Sequence, residues 1–363
     1  MKLLRKRVTL LSQDEMYLGM FDLPRGIFML SMMLVHASFC FFPVWEYPNS
    51  PQLIKKIYLA VFSYFFDGSI PLLFLICGYG WRKRSMKKAV KAQCSELLKP
   101  YVFVALAIMV MTVLYCLIGE ADLPAYLRRY LLPYALAWET ILPSSMENIG
   151  PVWCLVTYSF SSILLNAILQ EDSEWVRGLV LALLVSAALL LRDYVLPFCI
   201  VQTMVCTVYM YIGWKMKKTG FLTKDVPVYL CLVLFLFPFA ASYNQFALFS
   251  TQLWPRGGIT LFSSLVSGIV LLFVLLKMNR CRGRISEWIR WLGRNAMPVA
   301  CTHTIFFIWF PLIVPIYAES FSQKIVFFLL LSAFYIVTAC GTVFLITKLK
   351  KLAKKNQAIS TKG

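Results

Sequence analysis

Charge is scarce in these 363 residues: Asp, Glu, Lys and Arg make up 15% of them, where soluble domains carry roughly 25%. The apolar and aromatic share is 60%, against roughly 45 to 50% in soluble folds, which excludes a soluble globule. Histidine occurs twice, and no CxxC or Cys/His spacing is present, so no metal site is expected. The 11 Cys fall in apolar runs or between them on the basic side, none clearly in an outer loop. A disulfide framework is therefore not expected. Internal repeats, low-complexity tracts and a separate soluble domain are missing. The net charge of +19 comes without a zinc finger, a helix-turn-helix or an aromatic–basic stacking surface, so nucleic acid is not the expected partner.

What is present is length in apolar runs. They cover 21–43, 57–80, 100–118, 149–169, 177–193, 195–214, 226–243, 258–276, 296–317 and 325–347. Each suits a membrane helix of about 20 residues, giving an all-α polytopic protein of about ten transmembrane helices. With a cytoplasmic amino terminus, 28 Lys and Arg fall in inner segments and seven in outer ones. Cationic residues are retained on the cytoplasmic side, so both termini are expected inside. Asp14 and Glu15 follow the basic start, and the first run is too long for a cleaved signal, so that run is expected to be an anchor. The expected organisation is a cytoplasmic segment 1–20, a membrane domain 21–347 and a basic cytoplasmic tail 348–363. Only Arg192, Asp193 and Tyr194 separate the fifth and sixth runs, and the outer stretch 119–148 reads as either a surface-lying or a re-entrant helix.

Function must come from polar groups inside the runs, because each costs about 2.5 to 3.5 kcal/mol at a helix centre and persists only with a partner or a use. The first run holds Asp22, Arg25 and His36. Eleven helical steps separate Arg25 from His36, about three turns plus 20°, so both project from one face about 16.5 Å apart along the axis. Asp22 lies three residues before Arg25, within reach of an ion pair. His36 and His303 both fall in apolar runs, and imidazole suits proton transfer from a hydroxyl near neutral pH.

FDLPRGIFMLSMMLVHASF resembles the opening helix of the acyltransferase 3 family of integral membrane O-acyltransferases, marked by Asp-x-x-Arg and, after ten intervening residues, His. The match falls on Asp22, Arg25 and His36, with Gly26 at the usual small position. PLLFLICGYGWRKR is similar to the family's run closing in Ser-Gly-Tyr/Phe, with Cys77 for Ser. The entry through Lys99, Pro100 and Tyr101 is also similar. GPVWCL, with Trp153, resembles the Trp-Phe-Leu element, and LGRNAMPVACTHTIF resembles the late element that ends in His303. Ala296 and Ala300 or Cys301 replace its frequent Ser and Tyr. Together these pieces cover most of the chain in order.

The resemblance implies a cytoplasmic acyl-CoA donor, most simply acetyl-CoA, and an outward-facing hydroxyl on a cell-envelope glycan or lipid-linked sugar, in a multi-pass inner-membrane enzyme. His36 would be the general base or a transient acyl carrier, Arg25 would hold the donor, and Asp22 would orient Arg25. Arg82, Lys83 and Arg84 either bind CoA phosphates or simply obey the inner-side charge bias. His303 either contacts substrate or pairs with another span. Trp153 is either a packing aromatic or an acceptor platform. Asp67 either orients His36 or pairs with a neighbouring span. Arg256-Gly257-Gly258 reads as a turn and helix start. From other classes, ten spans with intramembrane charges also describe a glycan-precursor transporter or flippase, although no repeated halves are evident. A membrane scaffold would need no His or Arg in the spans. Within the enzyme class, O-succinyl transfer stays open.

Overall fold

The computed structural model describes residues 7–9, 11–12, 15–41, 68–119, 122–139, 149–241, 248–313 and 321–360. Helices account for nearly all of them. In order they are α1 (Asp22–Phe41), α2 (Gly68–Gly80), α3 (Met86–Gln93), α4 (Lys99–Gly119), α5 (Leu123–Leu136), α6 (Trp153–Ile168), α7 (Glu174–Leu191), α8 (Ile200–Lys218), α9 (Val228–Ala241), α10 (Gly258–Lys277), α11 (Arg284–Arg294), α12 (Ala296–Ile313) and α13 (Phe321–Ser360). A π-helical turn, Cys94–Leu98, joins α3 to α4. Two three-residue strands, β1 (Arg7–Thr9) and β2 (Asp225–Pro227), pair antiparallel.

Six helical stretches are long and apolar enough to cross a membrane: 86–118, 150–168, 174–191, 197–218, 258–280 and 322–349. Shorter apolar helices cover 68–80, 228–241 and 296–308. α5, within the stretch 119–148, is about 21 Å long at 1.5 Å per residue, too short to span. Asp122 starts it by accepting the Ala125 amide at 3.3 Å, and Ala137 ends it in the left-handed region. α7 begins earlier than its apolar run: Ser173 caps it, which brings Arg177 into the first turn, buried against the Glu171 carbonyl. The link from α7 to α8 runs from Arg192 to Cys199 and contains a 3-10 turn, Pro197–Cys199. Apolarity continues through that link, so the sequence hides its length. The basic tail after 347 continues α13 as helix to Ser360.

The chain divides into two compact units, each discontinuous in sequence. The first takes Met1–Phe21 and Asn49–Cys281. Its helices cross at reciprocal glycines: a side chain on Gly78 would strike the Met210 carbonyl, and one on Gly213 the Leu75 carbonyl. Small residues let backbones approach where lipid removes the hydrophobic drive for association. The amino-terminal segment is fastened to this unit by β1–β2, by buried Leu11 and by Glu15 on Lys277 and Arg280. The second unit takes Asp22–Pro48 and Arg282–Gly363. In it α1 packs on α11, α12 and α13.

Candidate functional site

α1 runs unbroken from Asp22 to Phe41 with Pro24 in its first turn, where a missing N–H costs nothing. The spacing of Arg25 and His36 therefore holds as helix geometry: one side of α1, about 16.5 Å apart along the axis. Gly26 makes the close packing possible, because any side chain there would enter the Ile289 backbone of α11. Gly293 does the same one turn along, facing the Asp22 carbonyl.

That contact redirects Asp22. Its carboxylate meets Arg294 at 3.5 Å, and the expected pair with Arg25 does not form. Gly293 brings the last turn of α11 against the first turn of α1, so a distant cation outcompetes the neighbour three residues on. Asp22 also sits where the helix dipole favours an anion. Arg25 is left half-buried and makes no ion pair among the described residues.

The two histidines of the chain meet inside the second unit. His36 Nδ1 lies 2.6 Å from His303 Nε2, and both residues are buried, 8% and 3% exposed. The ring planes differ by 9° with centres 4.9 Å apart. A ring nitrogen lies about 1.2 Å from its ring centre, so an in-plane bond between coplanar rings puts the centres about 5 Å apart. The imidazoles thus lie edge to edge in one plane, joined by a hydrogen bond, rather than face to face. Phe307 covers His36 at 4.7 Å, and Tyr335 of α13 stands edge-on to His303 at 4.9 Å. His303 Nδ1 is buried with no hydrogen-bond partner.

One proton sits between the two nitrogens, so one ring donates and the other accepts. If His36 Nδ1–H donates, His36 keeps its basic lone pair on Nε2, and His303 carries its own hydrogen on Nδ1. The dry surroundings strengthen this bond and fix the rings. Such a pair can take a proton at one end and stabilise the resulting cation through the other.

The remaining expected residues lie in the first unit or outside the described residues. Arg82, Lys83 and Arg84 are exposed in the link from α2 to α3. Arg84 lies over the Trp81 ring at 4.9 Å, and its backbone is held at both ends by Asn166 at 3.0 and 2.9 Å. Trp153, at the start of α6, is 3% exposed. Asp67 lies outside the described residues. Glu139, Gln202 and Gln252, which the sequence did not single out, form a buried polar cluster in this unit. They sit in links or next to them, with no periodic pattern to draw attention.

No family model matches this chain, and neither a curated protein nor a solved structure does so.

Proposed function

We propose that the protein is an integral membrane acyltransferase. Within that class, we read it as an O-acyltransferase that moves an acyl group, most simply acetyl, from cytoplasmic acyl-CoA to a hydroxyl of an extracytoplasmic envelope glycan or lipid-linked sugar. The carrying observation is the His36–His303 contact at 2.6 Å, on the same side of α1 as Arg25. The resemblance of the Asp22, Arg25 and His36 segment to the acyltransferase 3 opening helix supports the same reading.

In this mechanism His36 Nε2 takes the proton of the acceptor hydroxyl as its oxygen attacks the thioester carbonyl. A carbon–oxygen bond forms, the carbon–sulfur bond breaks, and the leaving CoA thiolate takes the proton back from His36, so the products are the ester and CoA thiol. His303 accepts from His36 Nδ1, which fixes the tautomer and spreads the positive charge, the part an orienting acid plays in other base-assisted sites. Arg25, with its guanidinium uncommitted to any described carboxylate, supplies charge-assisted hydrogen bonds to a donor phosphate or carbonyl. Asp22 and Arg294 fasten α1 to α11 and so fix the start of the helix that carries both groups.

This reading includes ten spans with both termini cytoplasmic, in the inner membrane. It is supported by the overlap of every apolar run with a helix, and by the excess of Lys and Arg in the alternate links. The test uses membranes containing the protein, supplied with acetyl-labelled acetyl-CoA and envelope glycan. Alkali-labile label should appear on the carbohydrate, and His36→Ala and Arg25→Ala should each abolish it at unchanged protein abundance. Transfer retained in His36→Ala would sink the reading, and glycan movement across the membrane without ester formation would favour a carrier.

A further inference from the structure

Three links of the first unit converge on one polar cluster: α5 to α6, α7 to α8 and α9 to α10. The Gln202 side-chain amide donates to the Glu139 carbonyl at 2.5 Å and the Ser250 carbonyl at 2.6 Å. The Cys199 thiol donates to the Ala137 carbonyl at 3.2 Å. Gln252 Nε2 donates to Gln202 Oε1 at 3.3 Å. Among the described residues, the non-glycine positions with left-handed φ are Ala137, Phe198, Cys199 and Gln252, all in these links. Backbone strain of this kind survives only where its surroundings enforce it, and it gathers at ligand clamps.

The hydrogen bonding is uneven. Gln202, fully buried, commits both its hydrogens and its oxygen. One oxygen of Glu139 accepts the Gly150 N–H at 2.8 Å. Gln252, only 4% exposed, keeps Oε1 without a partner. The indole N–H groups of Trp138 and Trp254 are also buried and unpartnered. Unpaired polar atoms away from water are costly and call for an occupant or a use.

Burial pushes the Glu139 carboxyl well above the usual carboxylate range, more than the Gly150 and Ile149 amides lower it. No cation pairs with it among the described residues. Through Gln202 the Glu139 backbone is joined to the Gln252 side chain, whose carbonyl is unused, and a carboxyl in its acid form carries an O–H. A group that accepts from one and donates to the other is a hydroxyl, and the uncharged surroundings disfavour an ionic ligand. Spare indole donors suit further hydroxyl or ring oxygens.

We propose that the junction of these three links binds a neutral polyhydroxylated ligand, in chemical class a sugar residue, through Gln252, Glu139 and the Trp138 indole. The acyl-transfer reading supplies a ligand of this class in its glycan acceptor. The test contains no acyl donor, so failure of sugar binding and failure of acyl transfer are read separately. The full chain in lipid nanodiscs is titrated with glucose, galactose and N-acetylglucosamine and followed by saturation-transfer NMR on the sugar protons. At least one sugar should bind saturably, and Gln252→Met should weaken it at least about tenfold. Trp138→Phe, which removes the indole N–H together with the five-membered ring, should weaken it in the same direction and serves where Gln252→Met does not accumulate. No saturable signal from any of the three sugars would overturn the proposal. So would undiminished binding in both weakened variants, or tetramethylammonium binding that disappears in Glu139→Gln.

Discussion

Glu15 draws Lys277 to 3.2 Å and Arg280 to 2.7 Å, and the Ser12 N–H to 2.7 Å. Burial raises its carboxyl, but the Ser12 amide and the two cations outweigh that and hold it down to about 2. A depressed folded value means that the contribution to stability is complete above the ordinary carboxylate range and disappears as pH falls toward about 2. Glu15→Gln should lower the melting temperature of the detergent-solubilised protein by about 2–4 °C at pH 6, and the difference should close as the medium is acidified. A gap that persists at the acid end would assign the effect to packing. His303 is the second residue worth isolating. His303→Ala should cost about 10²-fold in kcat, whereas His303→Gln, whose amide oxygen can accept from His36 Nδ1, should recover part of that loss with KM unchanged. Equal losses in the two variants would mean that His303 only fills space. The role of the pair was half legible: each histidine is conspicuous in an apolar run, but no periodicity links residues 267 positions apart.

Helix packing rests on glycines whose neighbours the sequence does not name. In a helix interior Ala is favoured over Gly by about 1 kcal/mol, so Gly178→Ala and Gly341→Ala, with open space beside them, should leave the melting temperature unchanged or raise it. Gly26→Ala should lower it by about 4 °C or more, because the added methyl meets the Ile289 backbone, which has no side-chain freedom with which to yield. A neutral Gly26→Ala would contradict the α1–α11 contact. The same contact explains why Asp22 found Arg294. Spacing along one helix shows which partners are within reach, but not which helix arrives from elsewhere with a better one. The links differ again: a helix within 119–148, surface-lying or re-entrant, was legible, whereas the left-handed Ala137, Phe198 and Cys199 break local preference, costing about 1–2 kcal/mol each. Only surrounding contacts hold such a backbone.

Across the whole molecule, exposed apolar side chains such as Phe103, Leu106, Val110 and Leu117 on α4, or Val233 and Leu236 on α9, match a surface bathed in lipid rather than water. The proposed orientation puts the α7–α8 link outside and the α8–α9 link inside. A membrane-impermeant maleimide should therefore label Asp193→Cys in intact cells, and Lys224→Cys only after permeabilisation. Labelling of Lys224→Cys in intact cells would reverse the topology. Composition and periodicity alone determined the helical, membrane-embedded character of this protein, because burying a polypeptide in hydrocarbon demands long apolar helices and leaves their signature in every segment. They also determined that Arg25 and His36 share a side, since that follows from the pitch of one helix. The tertiary structure decided the partners: His303 for His36, Arg294 for Asp22, and the Glu139, Gln202 and Gln252 cluster. These depend on which backbones can approach closely in three dimensions, a property of packed surfaces that no interval along the chain encodes.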